Sequence, residues 1–137
     1  MLFVLSNILL VFGLLSCVFA FARGGAAERM GAGIILANIV AYMINEAHFQ
    51  NQVVSLVIDG LTALSLLAVA VSFASFWLGA VMLLYALQFT MHAFYFVQER
   101  PRDLLHFVVN NVIFFATSLS LIIGTFLAWR RRRPASA

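Results

Sequence analysis

Two side chains able to exchange a proton stand inside long apolar stretches of this sequence, Asp59 and His92. An ionisable group in such a setting is costly unless it is paired or has a task. Tyr85, Gln88, His92, Tyr95 and Glu99 recur at steps of three and four, which puts them on one helical face. Ser55, Asp59 and Thr62 do the same, with Gln52 one turn earlier. Asp103, His106, Asn110 and Thr117 share a third face. Asn38, Tyr42 and Asn45 share a fourth, ending at Glu46 and His48. Stripes of this kind support three chemistries. The first is hydrogen bonding between helices, worth about 0.6 kcal/mol per bond in membranes. The second is an Asp59–His92 pair walled by Tyr85, Gln88 and Asn110, able to relay a proton or recognise a polar headgroup. The third is ligation of a metal or a b-type haem by His92 and His106 approaching across two helices. No ladder of paired histidines accompanies them, so no cofactor is expected, with haem as the minor alternative.

Other chemistries lack their motifs. There is no Gly-x-Ser-x-Gly, no His-Glu-x-x-His and no glycine-rich phosphate loop. Gly24-Gly25 reads as a two-residue turn. No nucleic-acid-binding module is present. The chain reads as a non-enzyme.

The elements that must position these residues follow from composition. Of 137 residues, 64% are hydrophobic and 9% charged, where a soluble domain is about 45–50% apolar and about 25% charged. Mean hydropathy is +1.05. A domain this small leaves much of its surface exposed, so lipid is the solvent that fits. A span needs about 20 apolar residues, and five stretches qualify: 2–22, 27–43, 52–73, 76–97 and 104–129. The runs are continuous and do not alternate, which excludes a β-barrel. The expected fold is an all-α, five-helix antiparallel transmembrane bundle forming a single domain, followed by a basic tail at 130–137. Ala74-Ser75 is too brief for an ordinary loop, so the third and fourth helices should end slightly earlier. Pro101 marks the last break. Gly31-Ala32-Gly33 predicts close helix packing in the second span.

All eight basic residues are arginines. Arg23, Arg29 and Arg130 to Arg133 fall on one side, Arg100 and Arg102 on the other. The positive-inside rule then places the N-terminus outside and the C-terminus in the cytoplasm. Arg130, Arg131, Arg132 and Arg133, with Trp129 in the interfacial belt, form the expected headgroup anchor. Cys17 is the only cysteine, so no internal disulfide is possible. Leu14-Leu15-Ser16-Cys17 and Ala20-Phe21-Ala22 loosely match processing sites, but no positive region precedes them, and the segment reads as a retained span.

In this orientation Asp59 lies about 10 Å and His92 about 8 Å below the outer edge, at about 1.5 Å per residue. All three histidines and every acid except Glu28 then fall in the outer half. The near absence of a loop makes the third and fourth helices an antiparallel hairpin. Residues at equal distance from its turn share a depth, so Asp59 and His92 should face each other, with Gln88 and Asn110 in reach.

Arg23-Gly24-Gly25-Ala26-Ala27-Glu28-Arg29, the intramembrane Asp59, Phe76-Trp77 and His92 together resemble a group of small uncharacterised membrane proteins of alphaproteobacteria. This chain departs from them in lacking a proline after Phe76-Trp77 and in having Tyr85 where they tend to have glutamine. The resemblance implies a bacterial inner-membrane setting and no particular activity. The first expectation for function is a non-enzymatic accessory or scaffold subunit of a membrane assembly. The alternative is a small transporter or ligand-binding protein with an outward-facing pocket around Asp59 and His92, and the third a haem- or metal-binding subunit. The expected partners are membrane lipids and either copies of this chain or a larger membrane complex, without nucleic acid.

Overall fold

The computed structural model describes residues 2–101 and 103–132. It comprises α1 (Leu2–Arg23), α2 (Ala26–Ile44), α3 (Gln52–Ser72), α4 (Phe76–Val97) and α5 (Leu104–Arg132), with no strand among the described residues. All five helices are long and apolar enough to cross a membrane. The protein is therefore a polytopic, all-α membrane protein, as the apolar runs predict. Neighbours in sequence pack side by side, α1 against α5 closes the ring, and α2 also touches α5.

Helix ends explain where the spans depart from expectation. α3 stops at Ser72, one residue early, while α4 starts at Phe76 as expected. The turn between them is a Schellman motif. Ser75 N–H donates to Ala70 O at 3.0 Å, Ala74 N–H donates to Val71 O at 3.3 Å, and Ala74 takes the left-handed conformation at φ 47°. The same motif ends α4, with Glu99 left-handed at φ 49° and Arg100 N–H donating to Tyr95 O at 3.0 Å. Glu99 is exposed and off the helix, so the polar face of α4 ends at Tyr95 rather than continuing to it. α2 does not end at Met43. It runs to Ile44 and passes into a π-helical turn, Asn45–Phe49, closed by Gln50 at φ 46°. α5 extends three residues past Trp129, carrying Arg130 to Arg132 on its last turn; Arg133, like Arg102, lies outside the described residues.

The two ends of the bundle differ. At the arginine end, where α1 meets α2 and α3 meets α4, the core is hydrophobic: Cys17, Ala32, Ile35, Leu66, Leu78, Val81 and Leu121 are buried. Trp77 is wedged there between glycines. A Cβ added to Gly124 would come within 2.6 Å of its indole, and one on Gly31 within 3.1 Å. Gly31 and Ala32 deliver the close packing expected of the Gly31-Ala32-Gly33 stretch, whereas Gly33 faces open space. The indole Nε1–H donates to Glu28 Oε1 at 3.2 Å, and Glu28 Oε2 accepts from Gly25 N–H at 2.9 Å as the capping residue of α2. Arg23 stacks over Trp129 at 5.3 Å, and Arg132 donates to the Arg23 carbonyl at 2.6 Å. This half is less uniformly apolar than expected, since Ser16, Thr117, Ser118 and Thr125 are also buried in it.

Candidate functional site

At the opposite, polar end the stripes turn inward together. Ser55, Asp59 and Thr62 of α3 are buried, as are Gln88, His92 and Tyr95 of α4, Asn38 of α2, Asn45 of the π-helical turn, and His106 of α5. Asp59 and His92 meet across the α3–α4 hairpin, as equal distance from the turn requires. His92 Nδ1–H donates to Asp59 Oδ2 at 2.5 Å, with the two residues only 5% and 0% exposed. Gln88 Nε2–H donates to the other carboxylate oxygen at 3.3 Å. On the far side of the ring, the Tyr42 hydroxyl lies 3.4 Å from His92 Nε2. In the neutral imidazole both nitrogens are thereby occupied, one donating and one accepting.

A second network ties three helices just below. The Tyr85 hydroxyl donates to Asn38 Oδ1 at 3.2 Å, and Asn38 Nδ2–H donates to Thr62 Oγ1 at 3.0 Å. Tyr85 thus supports α2 and α3 and does not touch the Asp59 carboxylate by a hydrogen bond. Nearer the surface, Asn45 Nδ2–H donates to Ser55 Oγ at 2.9 Å and to Asn51 O at 3.0 Å. The π turn lets Asn45 reach the head of α3 in this way.

His106 lies against His92, the ring centroids 5.0 Å apart and tilted by 33°, and Tyr95 abuts His106 edge-on at 5.0 Å. Two imidazoles in mutual contact leave no slot for a porphyrin between them, and the described residues contain no group of three or more histidine, cysteine, aspartate or glutamate side chains placed to hold a metal ion. Asp103 closes the cluster. Its Oδ1 accepts from the Tyr95 hydroxyl at 2.6 Å and from the His106 N–H at 3.0 Å, capping α5, while Oδ2 pairs with Arg100 at 3.3 Å. These donors hold the Asp103 carboxyl below the usual carboxylate range, the Tyr95 hydroxyl contributing most.

Beside this cluster α1, α2 and α5 part, leaving a cavity of about 780 Å³. Asn38, Tyr42, Gln88, His106 and Asn110 are among its polar lining residues, and Leu9, Leu10 and Phe114 among its apolar ones. Ser6, Asn7, Glu46 and Asp103 also line it. Asn110 lines this space, while its Oδ1 is buried away from it and has no hydrogen-bond partner among the described residues. The buried Thr117 and Thr125 hydroxyls share that condition deeper in α5. His48 stays exposed at the surface beside Phe49.

Of the residues singled out in the sequence, Asp59, His92, Gln88 and His106 gather in one cluster, Tyr85 braces it, and Asn110 lines the cavity. Ser6 and Asn7 of α1 belong to none of the polar stripes, and their sequence signal is an adjacent polar pair inside an apolar run. Tyr42, read only as part of a stripe, proves to be a direct partner of His92. No protein-family model matches the chain, and no curated protein or solved structure matches it either.

Proposed function

We propose that the protein is a small ligand-binding or transport protein of a bacterial inner membrane, taking an amphipathic molecule into the cavity between α1, α2 and α5. The observation that carries this is the cavity of about 780 Å³, lined by Asn38, Tyr42, Gln88, His106 and Asn110 together with Leu9, Leu10 and Phe114. Ligand sites are typically concave, largely apolar and furnished with a few convergent polar groups, at about 300–1,000 Å³. The apolar lining residues fit the body of the ligand, and the polar side chains among the lining, Tyr42, Gln88 and Asn110, suit a hydrogen-bonding head. Arg23, Arg29 and Arg130 to Arg132 at the far end support an orientation with that end in the cytoplasm and the cavity opening outward. The likeness to alphaproteobacterial membrane proteins supports the inner membrane as its place. An accessory or scaffold role needs a partner surface. The exposed apolar side chains around the bundle are equally suited to lipid, so they do not favour it.

Cysteine access tests this reading. In a Cys17→Ala background, Asn110→Cys and Asn7→Cys are expected to react with a membrane-impermeant maleimide added from outside, and Leu66→Cys is not. Native mass spectrometry of the purified protein should show a retained small molecule that is lost in Leu10→Trp, which fills the cavity. Reaction from the cytoplasmic side alone sinks the orientation. An empty protein with positions 7 and 110 inert sinks the pocket.

A further inference from the structure

Among the described residues, Tyr42 and His106 touch the Asp59–His92 pair from outside the α3–α4 hairpin, and both also line an open space. Tyr42 lines the large cavity, and its hydroxyl reaches His92 Nε2 at 3.4 Å. His106 lines that cavity too and, on its other side, a gap of about 10 Å³ bounded by Gln52, Ser55, His92, Tyr95 and His106. A gap of about that size holds one water molecule when polar groups surround it, and every residue around this one carries a polar atom. His92 therefore has two alternative connections to the cavity at Nε2, one through the Tyr42 hydroxyl and, when that 3.4 Å contact opens, one through a water-sized step to a second imidazole.

The pair's charge gives that arrangement a use. With His92 neutral, Asp59 carries a negative charge at 0% exposure. The titratable groups around it among the described residues are Tyr42 from α2, Glu46 from the π-helical turn, Tyr85 and Tyr95 from α4, His106 from α5 and Asp103 just before it. Arg100, in the α4–α5 connection, is engaged by Asp103 at 3.3 Å. α3 adds no charged group besides Asp59, and α1 brings none to this depth. Among the described residues no fixed cation stands against the carboxylate, and an unbalanced charge under the membrane surface is costly. One proton on the pair removes the imbalance, whether it resides on nitrogen or on oxygen.

We propose that Asp59 and His92 form a proton-binding site filled from the cavity, through Tyr42 and through His106 with a water in the gap. The inference rests on the reading above only in that the cavity must open to water. In the step, an N–H bond forms at His92 Nε2 and the N–H bond at Nδ1 breaks. The released proton passes to Asp59 Oδ2. Tyr42, or the gap water, regains its own proton from a hydronium ion in the cavity, which is left as water. One proton is gained and no electron moves. A molecule seated against Tyr42, Gln88 and His106 covers this route, so occupancy of the cavity and protonation of the pair are linked.

The chain has two aspartates, 59 and 103, so aspartate-selective 13C labelling of full-length Asp103→Asn protein in lipid nanodiscs leaves a single carboxyl signal. Between about pH 4 and about pH 9, the range spanning ordinary carboxyl and imidazole titration, that signal is expected to follow the uptake of one proton together with the His92 imidazole resonances. In Tyr42→Phe/His106→Phe the pair still titrates, but hydrogen–deuterium exchange at it slows by about tenfold or more, roughly 1.4 kcal/mol on the barrier. An Asp59 signal that is invariant across the range overturns the site. Exchange in the double variant as fast as in the parent protein overturns the route. No ligand is added, so an Asp59 that titrates beside a cavity found empty by mass spectrometry leaves the proton site standing and removes only the ligand reading.

Discussion

The two ends of this bundle are built from the same five helices by opposite means. At the arginine end small residues let the backbones close around Trp77, with Gly31 and Gly124 flanking its indole and Glu28 receiving its N–H. At the polar end the helices are held by side-chain hydrogen bonds, and α1 stands far enough from α2 and α5 to leave a cavity. In lipid, apolar side chains gain nothing by leaving one hydrocarbon for another, so packing fit and hydrogen bonds decide where helices meet. Tight fit at one end permits an open, polar and protonatable region at the other. The contrast teaches that close packing and polar contacts can be divided between the two ends of one bundle even in a chain of 137 residues.

The contrast is broken most directly at Trp77. Trp77→Ala empties the wedge and leaves the Glu28 carboxylate without one of its donors. Truncation of a packed tryptophan costs on the order of 3 kcal/mol. Gly124→Val overfills the same place, at about 1–3 kcal/mol, because even its Cβ would crowd the indole. Equilibrium unfolding in mixed micelles should report both losses, while cysteine access at position 110 is retained in the fraction still folded. If Trp77→Ala is as stable as the parent protein, the closed end is not what holds the bundle.

The polar end is sharpened by a double-mutant cycle on Asp59 and His92. Interhelical hydrogen bonds in membranes couple by about 0.6 kcal/mol on average and about 1.7 kcal/mol at most. A short, buried, charge-assisted contact belongs near the upper limit, so the expected coupling from Asp59→Asn, His92→Gln and the double variant is above about 1 kcal/mol. A value indistinguishable from zero returns both residues to separate bonding with other neighbours.

Much of this was legible in advance, and the exceptions have physical reasons. The spans are continuous apolar runs, and the Asp59–His92 contact follows from a hairpin with a three-residue turn, because two helices so joined have little freedom to misalign. Glu99 continues the three-four step of α4 by coincidence, two residues beyond the last helical one. The segment 45–49 reads as loop because it is polar, yet it is helical, since a π turn brings Asn45 to the head of α3. Glu28 and Trp77 stand 49 positions apart and form one contact that no local pattern announces. The cavity was the least legible feature, because its volume depends on how far α1 stands from α2 and α5 and on no single residue.

The smallest effect is expected at Asp103, where the α4–α5 connection meets the cavity. Its carboxyl is held low by the Tyr95 hydroxyl, then by the His106 N–H, with Arg100 assisting. In the unfolded chain an aspartate titrates near about 3.9. A carboxyl whose folded value lies below that contributes stability that is fully present above about pH 4 and is lost as pH falls through the lowered folded value. Asparagine can still cap α5 but cannot attract Arg100, so Asp103→Asn should lower the melting temperature slightly at neutral pH. The gap between the two proteins should narrow on acidification below about pH 4. Part of it should also shrink in about 1 M salt, where charges at the surface are screened within about 3 Å. Melting curves of both proteins across the acid range measure this difference directly and cancel whatever Asp59 contributes to each. A gap that widens as pH falls means that the carboxylate at position 103 is tolerated by the fold rather than used by it, and the α4–α5 connection is then held by the helix cap alone.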